Sequence, residues 1–172
     1  MGKSMRAQTC CFTGHRDVPT ELKPYIAKQL ERILRNLIGE GIRYFGCGGA
    51  RGFDLMAADA VLQLKREFPL IRLIMVLPCR DQPRGWRGED LRHYERVLSQ
   101  ADKVVYVQEE YTLGCMQKRN RHLVDNSSVC VAYCTRRYGG TSYTVEYADR
   151  KNVKVIEVCQ TSLFWLELAG II

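Results

Sequence analysis

The stretch Phe45-Gly46-Cys47-Gly48-Gly49-Ala50-Arg51-Gly52-Phe53-Asp54 constrains this chain more than any other. Gly46, Gly48, Gly49 and Gly52 crowd together directly after the apolar run Ile42 to Phe45. The apolar-periodic segment Leu55 to Phe68 follows at once. Strand, glycine turn and helix in that order bring backbone N–H groups to a phosphate. Glycines accept positive φ and keep Cβ atoms out of a ligand's way. The helix start adds unsatisfied N–H groups and a partial positive charge. The spacing is neither G-x-G-x-x-G nor G-x-x-x-x-G-K-[ST], and a tight turn with no ligand has the same composition.

The rest of the chain repeats the alternation. Gln8 to Thr13 reads as a strand ending in Gly14-His15-Arg16, and Pro19-Thr20-Glu21-Leu22 starts a helix running to about Ile38. Leu22, Ile26, Leu30, Ile33, Leu34, Leu37 and Ile38 keep helical spacing and supply a core-facing stripe. Ile71 to Leu77 is nearly continuous in apolar residues, as a buried parallel strand is. Further strands are expected over Lys103 to Val107, Ser128 to Cys134 and Val153 to Val158, with helices over Glu89 to Gln100, Cys115 to Asn126 and Ser142 to Lys151. This order predicts an α/β fold, a mostly parallel sheet covered on both faces with right-handed crossovers.

At 172 residues the chain is most simply one domain over residues 1–172. No run approaches the roughly 18–20 apolar residues of a membrane span. The start, Met1 to Arg6, carries no apolar signal core, so a cytoplasmic location without membrane contact is expected. The eight cysteines form no C-x-x-C and no zinc-type spacing, so buried thiols are expected and no metal site is nominated. The net charge of +7 suits an anionic partner, nucleic acid or a phosphorylated small molecule. The positive charge is dispersed, without a basic tail. The apolar tail from Ser162 to Ile172 is expected to pack across the sheet edge or to form a subunit contact, which suits a homodimer.

The informative residues all follow strands, where such sheets place ligands. Thr13-Gly14-His15-Arg16 is the first loop and Gly46 to Asp54 the second. Pro78-Cys79 with Gln82 to Trp86 is the third, and Tyr138 to Glu146, holding a second glycine turn, is the fourth. Their convergence on one sheet edge predicts a nucleotide-sized phosphate ligand.

These residues carry a resemblance. Phe12-Thr13-Gly14-His15-Arg16, Cys47-Gly48-Gly49-Ala50-Arg51-Gly52-Phe53-Asp54, Pro78-Cys79-x-x-Gln82 with Trp86, Arg119-Asn120 and Gly139-Gly140-Thr141-x-x-Thr144 resemble the YpsA branch of the SLOG superfamily. The similarity spans Thr9 to Val158. It implies a Rossmann-like three-layer α/β/α fold and a nucleotide or nucleotide-derived ligand, ADP-ribose-like in kind; no separate cofactor is identified. The superfamily includes DprA, a DNA-processing protein, and the LOG enzymes, which release a base from a nucleoside monophosphate. The LOG signature is Pro-Gly-Gly-x-Gly-Thr-x-x-Glu. Here Ser142 and Tyr143 replace its later Gly and Thr, which argues against LOG-type hydrolysis while leaving phosphate binding intact.

On that reading Gly48, Gly49, Ala50, Arg51, Gly52, Gly139 and Gly140 belong to the loops that bring backbone donors to phosphate or ribose oxygens. Thr141 and Thr144 add hydroxyls, with helix capping the alternative for Thr141. Thr13 and Gly14 offer a hydroxyl and a bare backbone. Arg16 is either a phosphate clamp or an exposed ion-pair partner. His15 either donates to the ligand or bonds local backbone. Asp54 either bonds ribose hydroxyls or stabilises its helix dipole. Arg119 and Asn120 either cover the pocket or sit on a solvated face. Trp86 and Tyr94 either stack on a base or simply pack. Glu146 is the one candidate for acid–base or oxocarbenium-stabilising work. The favoured function is a sensor, carrier or sequestering protein for a nucleotide. An N-glycosidic hydrolase and a DprA-like nucleic-acid-associated protein are the alternatives. Gly49→Val is expected to abolish ligand-induced stabilisation without unfolding the protein.

Overall fold

A computed structural model describes residues 2–159 and residue 170. Each apolar run becomes a strand and each periodic segment a helix. In chain order these are β1 (Thr9–Gly14), α1 (Lys23–Glu40), β2 (Tyr44–Cys47), α2 (Phe53–Lys65), β3 (Arg72–Leu77) and α3 (Gly88–Gln100). There follow β4 (Lys103–Tyr106), α4 (Cys115–Asp125), β5 (Val129–Tyr133), α5 (Gly140–Arg150) and β6 (Lys154–Glu157). Short 3-10 turns over Arg6–Gln8 and Thr20–Leu22 precede β1 and α1.

The six strands form one sheet in the order β4-β3-β2-β1-β5-β6, every neighbouring pair parallel. This is the Rossmann-like α/β/α arrangement. From β1 to β4 the chain steps in one direction, then returns past its own start to β5. Right-handed crossovers require the helices to change face when the direction reverses. The two cores show that change. Cys10 and Phe12 of β1 join α1, α2 and α3 in the larger core, while Cys11 joins Leu123 and Val124 of α4 and Ala148 of α5 in the smaller one. Alternate residues of one central strand thus seed both cores.

All eight cysteines are unpaired thiols, six of them buried. Among the described residues no helix is long and apolar enough to cross a membrane, and no group of three His, Cys, Asp or Glu is placed to hold a metal. The apolar tail from Ser162 onward lies outside the described residues apart from Gly170.

Candidate functional site

The reversal of chain direction opens a crevice at the carboxyl ends of β1 and β5, the position where open α/β sheets bind ligands. A cavity of ≈ 300 Å3 lies there. The end of β1 supplies Thr13, Gly14, His15, Arg16 and Asp17 to its lining. The β2–α2 loop supplies Ala50 and Asp54, α4 supplies Met116, Arg119 and Asn120, and the β5–α5 segment supplies Arg136 and Tyr138 to Thr141.

The first glycine turn is packed rather than bare. Gly52 has φ +77°, and a Cβ there would collide with the Arg16 carbonyl, because the Phe53 N–H donates to the His15 carbonyl at 3.1 Å. Only glycine lets these two loops be joined backbone to backbone. Gly49, at φ +70°, leaves a Cβ only 2.9 Å from the Leu77 methyl and 3.1 Å from the Met75 methyl. The carbonyls of Gly48 and Gly49 each accept from Gln82 Nε2 at 3.3 Å, and Arg119 Nη1 also donates to the Gly48 carbonyl. Gly48 stands between the Arg119 guanidinium and the Asp54 carboxylate, so any side chain there would displace both. Gly48, Gly49 and Gly52 therefore shape the back wall, and only Ala50 and Asp54 of this turn reach the lining. Arg51 faces away, 5.6 Å over the Trp86 ring and 3.6 Å from Asp90.

Buried charge lies beneath the cavity. Arg119, 4% exposed, also donates from Nε to Asn120 Oδ1 at 2.8 Å and from Nη1 to Gln82 Oε1 at 3.4 Å. Asp54, 6% exposed, accepts the Ala50 N–H at 3.3 Å. Burial pushes the Asp54 carboxyl up to about 6, against the pull of Arg119, the Ala50 amide and Arg16. His15 is buried and accepts the Thr135 N–H on Nε2 at 2.8 Å, which places the proton of the neutral ring on Nδ1. Burial first, and Arg136 second, hold its pKa below the ordinary histidine value, with Asp17 opposing. Arg16 is exposed at the rim.

The second glycine turn is the open one. Among the described residues, a Cβ at Gly139 or Gly140 would meet nothing within 4 Å. The N-terminus of α5 has no side-chain cap and no acidic residue in its first turn, whereas the first turn of α2 carries Asp54. The first-turn N–H groups of α5 thus face the crevice with their dipole uncompensated. Thr141 lines the cavity there. Thr144 is buried and donates its hydroxyl to the Gly140 carbonyl at 2.8 Å, inside the helix. Glu146 is exposed further along α5, outside the lining.

A family model described as the YspA SLOG family (YpsA) matches residues 11–161. The chain belongs to the YpsA family of SLOG proteins. Among relatives, the uncharacterized SPbeta prophage-derived protein YoqJ of Bacillus subtilis (strain 168) is 31% identical over 145 residues, covering 77% of this chain and 84% of its own. A UPF0398 protein of Bacillus thuringiensis (strain Al Hakam) is 30% identical over 129 residues, covering 73% and 70%. Among solved structures, DNA processing protein A of Helicobacter pylori, described for its single-stranded DNA binding mode, superposes with TM-score 0.63 at 16% identity. That match covers 96% of this chain and 74% of the other. DNA processing protein A (DprA) of Streptococcus pneumoniae gives TM-score 0.66 at 16% identity, over 89% and 50%. At such identities the likeness is one of fold.

In this YpsA-family chain the aromatic candidates pack on each other. Trp86 and Tyr94 meet edge to face with centroids 5.2 Å apart, off the cavity. Two aromatic rings do line it, Phe12 from β1 and Tyr138, and Tyr138, directly before Gly139-Gly140, carries a positional signal. Met116 and Asp17 carry no local signal that marks them for the site, whereas Gln82, singled out in the Pro78-Cys79-x-x-Gln82 motif, is buried and locks the first glycine turn.

Proposed function

We propose that this YpsA-family protein binds a nucleotide or nucleotide-derived molecule, ADP-ribose-like in kind, at the carboxyl edge of its sheet, acting as its sensor, carrier or sequestering protein. The observation that carries this is the uncapped, acid-free start of α5 opening on a cavity that also holds Arg16 and Arg136. A phosphate seated there meets the amides of the Gly139–Thr141 turn and the planar fork of Arg16. Asp54, across the cavity on α2, is the acceptor available to ribose hydroxyls. Gly48, Gly49 and Gly52 act by holding the wall in shape.

Binding is placed ahead of hydrolysis because Glu146 lies outside the lining. The test is thermal unfolding with AMP, ADP-ribose or inorganic phosphate. The nucleotides are expected to raise the melting temperature by several degrees and to be recovered unchanged by chromatography. The absence of any shift overturns the reading. Released base that disappears in Glu146→Gln establishes the hydrolase instead.

A second reading, association with single-stranded nucleic acid, is favoured by the exposed Arg16 and Arg136 in the cavity lining, by the exposed Arg137 next in sequence and by the net charge of +7. The H. pylori neighbour described for single-stranded DNA binding has the same fold. Either reading is compatible with a cytoplasmic protein, and pairing of two copies through the apolar tail is part of the proposal.

A further inference from the structure

We infer that Tyr138, with Met116 as the other accessible apolar side chain of the cavity, is the stacking surface for an aromatic base, so that the ligand is a base-bearing nucleotide rather than a bare sugar phosphate. This rests on the reading of the cavity as a nucleotide site. Most of the lining is polar or charged, and only four lining residues other than glycine are apolar or aromatic: Phe12, Ala50, Met116 and Tyr138. Phe12 is 2% exposed and its ring stacks on Phe45 in the core, centroids 6.3 Å apart. Ala50 is small and buried. Met116 and Tyr138 are therefore the apolar surface a ligand can cover.

Tyr138 is 71% exposed, and among the described residues its ring has no aromatic or cationic partner. An exposed tyrosine with only two side-chain torsions is ordered at small entropic cost when a flat group lands on it. Base–aromatic stacking contributes without demanding a particular base. Met116 lines the same cavity from α4, its sulfur 3.9 Å from Arg119 Nη2, and its polarizable thioether suits contact with a ring. Tyr138 directly precedes Gly139 and Gly140, so one loop holds both the flat surface and the phosphate donors. That adjacency matches a ligand whose base and phosphate are joined through a single sugar.

The test compares AMP with ribose 5-phosphate, which keeps sugar and phosphate but lacks the base, by calorimetry on the full chain. Wild type is expected to bind AMP more tightly by about tenfold or more. Tyr138→Ala is expected to bring AMP down to the level of ribose 5-phosphate and leave ribose 5-phosphate unchanged. Tyr138→Phe keeps the preference, and Met116→Ala narrows it. Equal binding of the two probes by wild type overturns the inference. So does an AMP preference that survives Tyr138→Ala, or a parallel loss of both probes in that variant. If wild type binds neither probe nor ADP-ribose, the nucleotide reading itself fails and this inference goes with it.

Discussion

Gly49 and Gly140 show how two similar residues are separated by their surroundings. Each sits in a glycine pair at a strand-to-helix turn, and the sequence offers no reason to treat them differently. Gly49, at φ +70° and pressed on Leu77 and Met75, is expected to lose roughly 2–4 kcal/mol on change to Val, seen as a lower urea midpoint. The expectation that Gly49→Val separates binding from folding therefore passes to Gly140, which has open space around it. Gly140→Val is expected to keep the unfolding free energy from urea titration within about 1 kcal/mol of wild type and to abolish the nucleotide-induced thermal shift. A retained shift would count against phosphate binding at α5.

Two buried titratable groups at the site act in opposite directions with pH. His15 has a folded pKa below its unfolded value near 6.5, so its contribution is whole above that value and lost as pH falls through it. Asp54 is raised from 3.8 to about 6, so its ionised form penalises folding above about 6 and acidification toward 3.8 relieves the penalty. Asp54→Asn removes the relief and is expected to lose stability more steeply than wild type between pH 7 and pH 5. His15→Gln keeps an acceptor for the Thr135 amide and is expected to flatten the loss. Urea titrations at the two pH values check both.

At the scale of elements, α4 is the informative case. Its buried positions Cys115, Arg119 and Leu123 are spaced by four, so the arginine occupies a core-facing place in an otherwise regular stripe. Exposed, an arginine there would be unremarkable; buried, it needs acceptors, and the Gly48 and Gln82 oxygens supply them. Arg119→Met is expected to cost roughly 3 kcal/mol, because Asp54 loses its nearby cation and the Gly48 carbonyl a charged donor. Hydrogen exchange is expected to accelerate at the β2–α2 amides before it does in β1. Unchanged exchange in that loop would show that the lock is unimportant. Helix and strand identities were legible, since their apolar spacing is local. The ends were less so: α2 begins at Phe53 and α5 at Gly140, each two residues before the predicted start, because the turn residues themselves join the helix.

Over the whole molecule, the same surplus of positive charge supports two kinds of anion binding that salt distinguishes. Contacts to a nucleic-acid backbone release counterions and weaken steeply with salt. A phosphate held by helix amides within a cavity is less screened. Retention on single-stranded DNA is expected to fall by about 10-fold or more between 50 and 200 mM salt, while the ADP-ribose shift persists. DNA retention that outlasts nucleotide binding at high salt would favour the nucleic-acid reading. Sedimentation of the chain with and without residues 160–172 checks the proposed pairing, loss of a dimer on truncation being the expected result.

By itself the sequence determined six strands, five helices, a parallel sheet and the four loops at its carboxyl edge, because periodicity and glycine turns act over a few neighbouring residues. Only the tertiary structure decided which glycine turn is open. Gln82 and Arg119 reach the Gly48 carbonyl from 34 and 71 residues away and turn the first loop into a wall, while among the described residues no side chain arrives over Gly139 and Gly140. Whether a bare backbone faces a ligand or the protein's own side chains depends on contacts between distant segments, and those exist only once the chain has folded.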